Sequence, residues 1–164
     1  METHPLMKIR VLLGLATGLR RGDIDSLKIS DIDFETNSIA TSSRKTKKSM
    51  ASRPVSAKIM TELSTYVCGL DVGQEKLFRT KFNHRKWRKI SKNAGLEDLK
   101  FHDLRKTFCS LLAQNGVSTA VTQRLLEHSS PNLTTKLYTN VDPVLRYAVE
   151  QLPISDWLPA KKSL

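Results

Sequence analysis

The sequence predicts an α+β domain that is mainly helical and carries a small three-stranded antiparallel sheet. Two observations predict this fold. Apolar residues recur at helical spacing along most of the chain, and segments with strand character, bounded by turn-forming residues, are confined to residues 28–55. The length of 164 residues suits one domain that buries a core of its own. We therefore expect residues 1–164 to form a single domain.

In the N-terminal part of the chain, the sequence pattern predicts two helices followed by the sheet. Leu6–Thr17 has an amphipathic helical pattern, and Gly18 ends it because glycine tolerates the left-handed conformation at a helix end. A short helix follows over Asp23–Leu27. The predicted strands are Lys28–Asp33, Ser38–Ser42 and Arg53–Val55, and the polar segment Ser43–Ala51 is the predicted hairpin loop.

The remainder of the chain predicts helices. A short buried element is expected at Leu77-Phe78, and a basic helix that ends at Gly95 is expected to turn Trp87, Ile90 and Ala94 inward. The predicted helices are Ser56–Val67, Asn83–Ala94, Phe101–Gln114 and Asp142–Gln151, together with one that Ser118 caps and that runs through Glu127, and one that Pro131 starts and that carries Tyr138. The apolar stripe of Phe101–Gln114 consists of Phe101, Leu104, Phe108, Leu111 and Leu112.

Positive charge is concentrated in two segments. The chain has 27 Lys and Arg against 16 Asp and Glu, a formal net charge of +11. No acidic residue lies between Glu35 and Glu62 or between Glu75 and Glu97, and these two segments hold 14 of the basic residues. Such patches bind phosphates, although a solvated face or a flexible tail would also fit one run alone. Because Phe82, His84 and Trp87 interleave the second segment, we expect a nucleic-acid partner, held by Arg44, Lys47, Lys48, Arg53, Arg85, Lys86, Arg88 and Lys89.

Composition also limits the cellular setting. Two cysteines, Cys68 and Cys109, are too few for a disulfide scaffold and favour a reducing compartment. The apolar run Val11–Leu19 is far shorter than a membrane span. A signal peptide with a cleavage site near Gly18 is disfavoured by the arginines that follow at once. We therefore expect a cytoplasmic protein that has no membrane partner.

Four residues in the C-terminal half could carry chemistry. His102 and Arg105 are three residues apart and so project from one helical face, which suits oxyanion binding. His128 follows a predicted helix, and Tyr138 lies among leucines. Each of the four alone also fits a structural role: a solvated face, a cap or a core tyrosine.

Together, five ordered blocks resemble the catalytic domain of the tyrosine recombinases, the phage integrase family. The resemblance runs from about Leu6 to Val141. The blocks are the arginine block Ala16–Asp23, the hairpin lysine in Lys45-Thr46, the His-x-x-Arg block Phe101–Phe108, the Leu-Leu-Gly-His-Ser-like block Leu125–Ser130 and the nucleophile block Thr134–Tyr138. The resemblance implies the integrase catalytic-core fold and site-specific cutting and rejoining of DNA.

The resemblance also implies a role for each matching residue. Arg20 and Arg105 would each form bidentate hydrogen bonds to the scissile phosphate, since a guanidinium stays protonated and presents paired donors. Asp23 would orient Arg20. The phenol of Tyr138 would attack phosphorus and form a 3′-phosphotyrosyl link, and no metal, ATP or other cofactor is expected. The remaining assignments are His102 as the base, Lys45 as the acid for the departing oxygen and His128 as a further donor.

Several features depart from the family pattern or extend beyond it. Glu127 stands where the family has glycine, which places a carboxylate beside His128. Arg44, Lys47 and Lys48 compete with Lys45 for the role of acid. We expect the chain to lack the N-terminal domain that clamps DNA in the family, and therefore to bind and cleave DNA weakly by itself. Residues 142–164 are a candidate element for exchange between protomers of a DNA-bound homotetramer, whereas the isolated chain would be a monomer or dimer.

Three other functions remain as alternatives. The first is a DNA-binding regulator of a mobile element that does not cleave. The second is a type IB topoisomerase, which shares this chemistry but relaxes supercoils. The third is a small ribonuclease using two histidines and a lysine, which would need a 2′-hydroxyl and no tyrosine. The intact set of candidate catalytic residues favours the recombinase, and a prokaryotic or phage origin with association to the nucleoid is expected.

Overall fold

A computed structural model describes residues 5–42, 50–127 and 143–158 and places a small sheet beside a group of helices. The strands are β1 (Ile32–Asp33), β2 (Ser38–Ser42) and β3 (Met50–Pro54). The helices are α1 (Pro5–Thr17), α2 (Arg21–Ser26), α3 (Ala57–Cys68), α4 (His84–Asn93), α5 (Asp103–Gln114), α6 (Thr119–Glu127), α7 (Pro143–Glu150) and α8 (Ile154–Trp157). The α+β prediction with a three-stranded antiparallel sheet is confirmed.

The sheet differs from the prediction at both edges. Its order is β1-β2-β3, and every pair is antiparallel. The start of the first predicted strand is wrong, because Ile29–Asp31 form a turn of 3₁₀ helix in which the Asp31 carboxylate accepts from the Lys28 amide. The third strand begins earlier than predicted, at Met50, because its pairing with β2 continues as far as Ser42. The rest of the predicted hairpin loop, residues 43–49, lies outside the described residues.

Helix α1 lies at the centre of the core and packs against α5 and α3. Leu13 and Ala16 on α1 and Phe108 on α5 are fully buried, as the helical pattern predicts. The buried guanidinium of Arg10 extends this core toward α2, where its Nε donates to Asp25 at 2.9 Å. These contacts fix the end of α1 relative to α5, which is where the two arginine blocks meet.

The inward face of α4 is only partly as predicted. Trp87 is buried against Phe82 and Phe101 and donates from Nε1 to the carbonyl of Leu99 at 2.8 Å. The prediction that Ile90 and Ala94 turn inward is wrong, because both are exposed. With Trp87 anchored, the residue one turn later on the same face is Ser91, which is the one that is buried.

Helices α7 and α8 pack on the rest of the described domain. Leu145 and Val149 of α7 and Ile154 of α8 are buried. The Glu150 carboxylate accepts from the Ser56 hydroxyl at 3.1 Å and from the Ala57 amide at 3.2 Å, so α7 caps the N-terminus of α3. The helix predicted from Pro131 lies outside the described residues. No helix among residues 5–42, 50–127 and 143–158 has the length and apolar character to cross a membrane.

Candidate functional site

Arg20 stands at the start of α2, directly after the tight turn that ends α1. Gly18 in that turn has φ +61°, a left-handed conformation, and a Cβ at this position would lie 2.6 Å from the Phe108 side chain. Arg20 is extended, and its carbonyl accepts from the amides of Asp23 and Ile24 at 2.9 and 3.0 Å. The local backbone therefore fixes Arg20 at the surface, with Asp23 one turn away.

Arg105 reaches the same turn from α5. Its Nη1 donates to the carbonyl of Gly18 at 2.6 Å, and its Nη2 is 3.5 Å from the carbonyl of Leu126 at the end of α6. The side chain is half-buried, and burial followed by the neighbouring charge of Arg20 lowers the pKa of Arg105. The two arginines that the sequence places in separate blocks are thus brought into electrostatic contact.

Arg53, on β3, is a third guanidinium at this place. Its residue is 4% exposed, and it donates to the carbonyl of Leu125, to that of Leu126 at 3.4 Å and to the Thr41 hydroxyl at 3.4 Å. Burial and then the charge of Arg105 lower the pKa of Arg53 to about 10, so it remains a cation at neutral pH. A buried position lends no support to the prediction that Arg53 grips the DNA backbone from the surface.

The charges at this site are strongly unbalanced. Asp23 is the carboxylate that acts on both Arg53 and Arg105, where it opposes the repulsion among the guanidinium groups. Within the described ranges, none of the ion pairs involves Arg20, Arg53 or Arg105. Among the side chains that the structure describes at this site, three guanidinium groups are balanced by one carboxylate, which favours an anion. A phosphate diester offers two negatively polarised oxygens to paired donors.

His102 lies at the N-terminal boundary of α5, one turn before Arg105. It is exposed, and its side chain does not cap the helix. It borders a cleft of about 580 Å³ whose wall includes the cations Arg21, Arg88 and Lys100 and the carboxylates Glu97 and Asp98. Its neighbour Asp103 has a lowered pKa because it accepts hydrogen bonds from the Lys106 side chain and the Lys100 amide. His102 therefore borders a cleft in which three cations outnumber two carboxylates, and its side chain does not take the helix-capping role that its position would allow.

The basic residues of α4 lie at the surface of the domain. All four cations assigned to the predicted DNA contact on α4 are exposed, on the helix whose opposite face carries Trp87. These are Arg85, Lys86, Arg88 and Lys89. One of them, Arg88, also borders the cleft beside His102, so the exposed face of α4 and the cleft form one basic surface.

Several assigned residues lie outside the described part of the chain, and their roles stay predictions. They are the hairpin cations Arg44, Lys45, Lys47 and Lys48, together with His128 and Tyr138. In the part that the structure does describe, no group of three or more His, Cys, Asp or Glu side chains could hold a metal ion.

Two features of the site were not foreseen from the sequence. The carbonyl of Gly18 as the acceptor for Arg105 leaves no sequence signal beyond the glycine itself. Burial of Arg53 follows from the register of the sheet, since β3 pairs Arg53 with Ile39, and cross-strand partners turn their side chains to the same face. Because Ile39 is apolar and faces the core, Arg53 must turn inward with it.

Comparison with known proteins agrees with this arrangement. The pattern of the family described as "Phage integrase family" matches residues 6–144. Tyrosine recombinase XerA of Saccharolobus solfataricus is 32% identical over 137 residues, which cover 82% of this chain and 45% of that protein. XerA of Pyrococcus furiosus is 30% identical over 165 residues, covering 92% and 57%, and the integrase of Salmonella phage P22 is 29% identical over 180 residues, covering 92% and 46%.

Solved structures share the fold. The integrase of mycobacterium phage Brujita superposes with a TM-score of 0.72 at 18% identity, covering 99% of this chain and 56% of that one. A crystal structure of XerA recombinase gives a TM-score of 0.58 at 26% identity, covering 92% and 64%. The chain spans about half the length of the curated relatives it matches. From the matched residues 6–144 and the paired arginine blocks, the chain belongs to the phage integrase family.

Proposed function

We propose that this chain is the catalytic domain of a site-specific DNA recombinase that cuts and rejoins strands by transesterification. The observation that carries the proposal is the meeting of Arg20 and Arg105 around the turn at Gly18, with His102 one turn away on α5. These residues come from two distant parts of the sequence. Their convergence supports a single phosphate site at the start of α2.

Charge stabilisation at the phosphorus would come from the two guanidinium groups. A pentacoordinate phosphate carries more negative charge on its equatorial oxygens than the diester does, so fixed cations favour the transition state over the ground state. The hydrogen bond from Arg105 to the carbonyl of Gly18 limits the motion of the guanidinium group. Such preorganisation means that little reorganisation is needed at the moment of reaction.

Bond changes in the proposed reaction balance without an external energy source. The Tyr138 oxygen forms a bond to phosphorus while the bond from phosphorus to the 5′-oxygen breaks. His102 takes the phenol proton, Lys45 gives a proton to the departing 5′-oxygen, and His128 donates a further hydrogen bond to the phosphate. One phosphoester replaces another, so attack by a 5′-hydroxyl reverses the step and rejoins the strand.

The duplex would lie along the basic surface formed by α4 and the cleft beside His102. Arg85, Lys86, Arg88 and Lys89 are exposed there, and the hairpin cations would add further phosphate contacts. In the proposed working assembly four copies bind two duplexes, with residues 142–164 as the exchanged element. The relatives are archaeal, bacterial and phage proteins, which fits action on nucleoid DNA in the cytoplasm.

Replacement of each arginine by lysine tests the proposed role of the pair. Arg20→Lys and Arg105→Lys keep a charge and lose the paired donors, so we expect the single-turnover cleavage rate to fall about 10²–10³-fold. The dissociation constant for the duplex should change little, because most of the binding charge lies elsewhere. The substrate is a duplex that is first selected from a random-sequence pool by its binding to the protein and then prepared with a nick.

Lys106→Gln is the matched control for that experiment. Lys106 is exposed on α5 next to Arg105 and pairs with Asp103 rather than with the phosphate site. It should cleave at close to the rate of the unmodified protein. Cleavage by both arginine variants at rates within a few-fold of this control would contradict the proposal.

A further inference from the structure

Arg53 is a buried cation for which the proposed reaction has no role. Its guanidinium lies between the β2–β3 pair and the end of α6, and its bonded partners are neutral oxygens. Among the described side chains Arg53 has no ion pair, and burying a charge without one is costly. Replacing Arg53 by an apolar residue would remove this cost, so its presence indicates a task that an apolar residue could not perform.

The partners of Arg53 lie at the negative end of a helix. Leu125 and Leu126 are in the last turn of α6, where backbone carbonyls lack partners within the helix and carry the negative end of its dipole. A guanidinium is suited to this place, because it can donate to two carbonyls at once. Arg53 therefore fixes the end of α6 against the sheet.

Arg53 and Arg105 share one acceptor. The carbonyl of Leu126 is 3.4 Å from Nη2 of Arg53 and 3.5 Å from Nη2 of Arg105. Both contacts are long, as expected when two like charges approach one oxygen. The position of this carbonyl thus depends on Arg53, and it bounds the position of Arg105 in turn.

We propose that Arg53 is a positioning residue for the cleavage step, which sets the place of Arg105 by holding the last turn of α6 through the carbonyls of Leu125 and Leu126. Its guanidinium does not touch DNA. It acts through Arg105 and through the helix end that directly precedes His128 in the sequence. The inference rests on the proposed function, because it assigns Arg53 to the same reaction.

The test separates DNA binding from chemistry in two variants of Arg53. Arg53→Lys keeps the charge but donates from a single nitrogen, whereas Arg53→Gln loses both the charge and the paired donors of the guanidinium. A displacement of about 1 Å in a catalytic group costs about 100-fold in rate, so we expect Arg53→Gln to form the covalent DNA adduct about 100-fold more slowly. Arg53→Lys should recover part of that loss, and the duplex dissociation constant of both should stay within about threefold of the unmodified protein.

A matched control removes a similar contact elsewhere. The half-buried Tyr66 on α3 also donates to a backbone carbonyl, that of Leu77, from its hydroxyl at 3.2 Å. Tyr66→Phe therefore loses one side-chain to backbone hydrogen bond inside the fold, but none that leads to Arg105. It should form the adduct at close to the rate of the unmodified protein.

A double variant tests the coupling that the shared carbonyl implies. If Arg53 acts through Arg105, Arg53→Gln should slow an Arg105→Lys protein by much less than it slows the unmodified one. If the rate loss of the double variant equals the product of the two single-variant losses, the two arginines act separately and the inference is overturned. Weaker binding with an unchanged adduct rate would make Arg53 a DNA contact, which also overturns it.

Folding and the proposed function are controlled in the same experiment. Thermal unfolding is measured for every variant, and failure of both Arg53 variants to fold would make the residue purely structural and overturn the inference. If the unmodified protein forms no adduct, the proposed function fails. If it forms the adduct and both Arg53 variants match its rate, the positioning role alone is wrong.

Discussion

The guanidinium of Arg105 donates a hydrogen bond of 2.6 Å to the carbonyl of Gly18, two residues before Arg20. The turn that presents one arginine is therefore the acceptor that orients the other. A shift of this turn moves both cations together. The geometry of the proposed phosphate site thus depends on how α1 ends against α5.

Gly18→Ala should damage both stability and cleavage. The new Cβ would lie 2.6 Å from Phe108 and 2.9 Å from Leu126, and overpacking of this kind costs about 1–3 kcal/mol. The positive φ adds strain for alanine. Phe108 is fully buried and has little room to move aside, so we expect the turn and its Gly18 carbonyl to shift. The cleavage rate should therefore fall more than the loss of folded protein explains. Denaturant unfolding and single-turnover cleavage measure the two effects.

Gly116→Ala is the control for backbone strain alone. Gly116 also has a positive φ, +76°, but nothing lies within 4 Å of its added Cβ. This variant should lose stability and keep its cleavage rate per folded molecule. Equal cleavage rates for the two glycine variants would contradict the role given to the Gly18 carbonyl.

Ile154→Ala should destabilise the chain regardless of its concentration. Ile154 is 2% exposed in α8, which packs on α3, and the Lys58 ammonium donates to the Ser155 hydroxyl at 2.5 Å nearby. Truncation of a buried isoleucine costs about 2–5 kcal/mol. The exposed Val72 offers a control, since Val72→Ala should leave the unfolding midpoint unchanged. A loss that appears only at concentrations where copies associate would mean that the segment already docks on a partner without DNA, before the exchange proposed for the DNA-bound assembly.

Neutralising two exposed cations of α4 should reduce the salt dependence of duplex binding. Each phosphate contact contributes about 0.9 to the slope of log affinity against log salt concentration, so Arg85→Gln with Lys89→Gln should lower its magnitude by about 1.8. Lys8→Gln removes a cation that pairs with Glu62 and should leave the slope unchanged. An unchanged slope in the double variant would exclude α4 from the DNA contact.

Stability should depend on pH through Asp103. Its pKa is lowered by hydrogen bonds from Lys106 and Lys100, so its ionised form stabilises the folded state. This contribution is fully present above the ordinary value of 3.8 and disappears as the pH falls through the lowered value. We expect Asp103→Asn to unfold at a lower temperature than the unmodified protein at pH 7. That gap should close in strong acid, and a gap of constant size would contradict the assignment.

Local patterns in the sequence predicted most of the fold. The stripe of α5 and the glycine that ends α1 depend on neighbouring residues, and both are confirmed. The inward face of α4 was predicted less well, since Trp87 sets the rotation of that helix through contacts with Phe82 and Phe101 from other parts of the chain. A helical pattern alone does not determine which of two adjacent faces a large aromatic residue buries.

The sequence predicted which arginines form the candidate site but not the hydrogen bonds that link them. Motif order assigned Arg20 and Arg105, and the structure brings them together. The shared carbonyl of Leu126 depends on the path of α6 relative to β3, which no local pattern encodes. Arg53 was grouped with surface cations because its segment is basic, whereas the register with Ile39 turns it inward.

Capture of a covalent intermediate tests the proposed cleavage by Tyr138 most directly. Protein in excess is incubated with the nicked duplex, in which loss of a short 5′-hydroxyl fragment prevents rejoining, and the products are separated on a denaturing gel. We predict a protein–DNA adduct that resists denaturation, requires no metal or ATP, and is absent from Tyr138→Phe although that variant still binds the duplex. An adduct that persists in Tyr138→Phe, or cleavage that leaves no adduct at all, would contradict it.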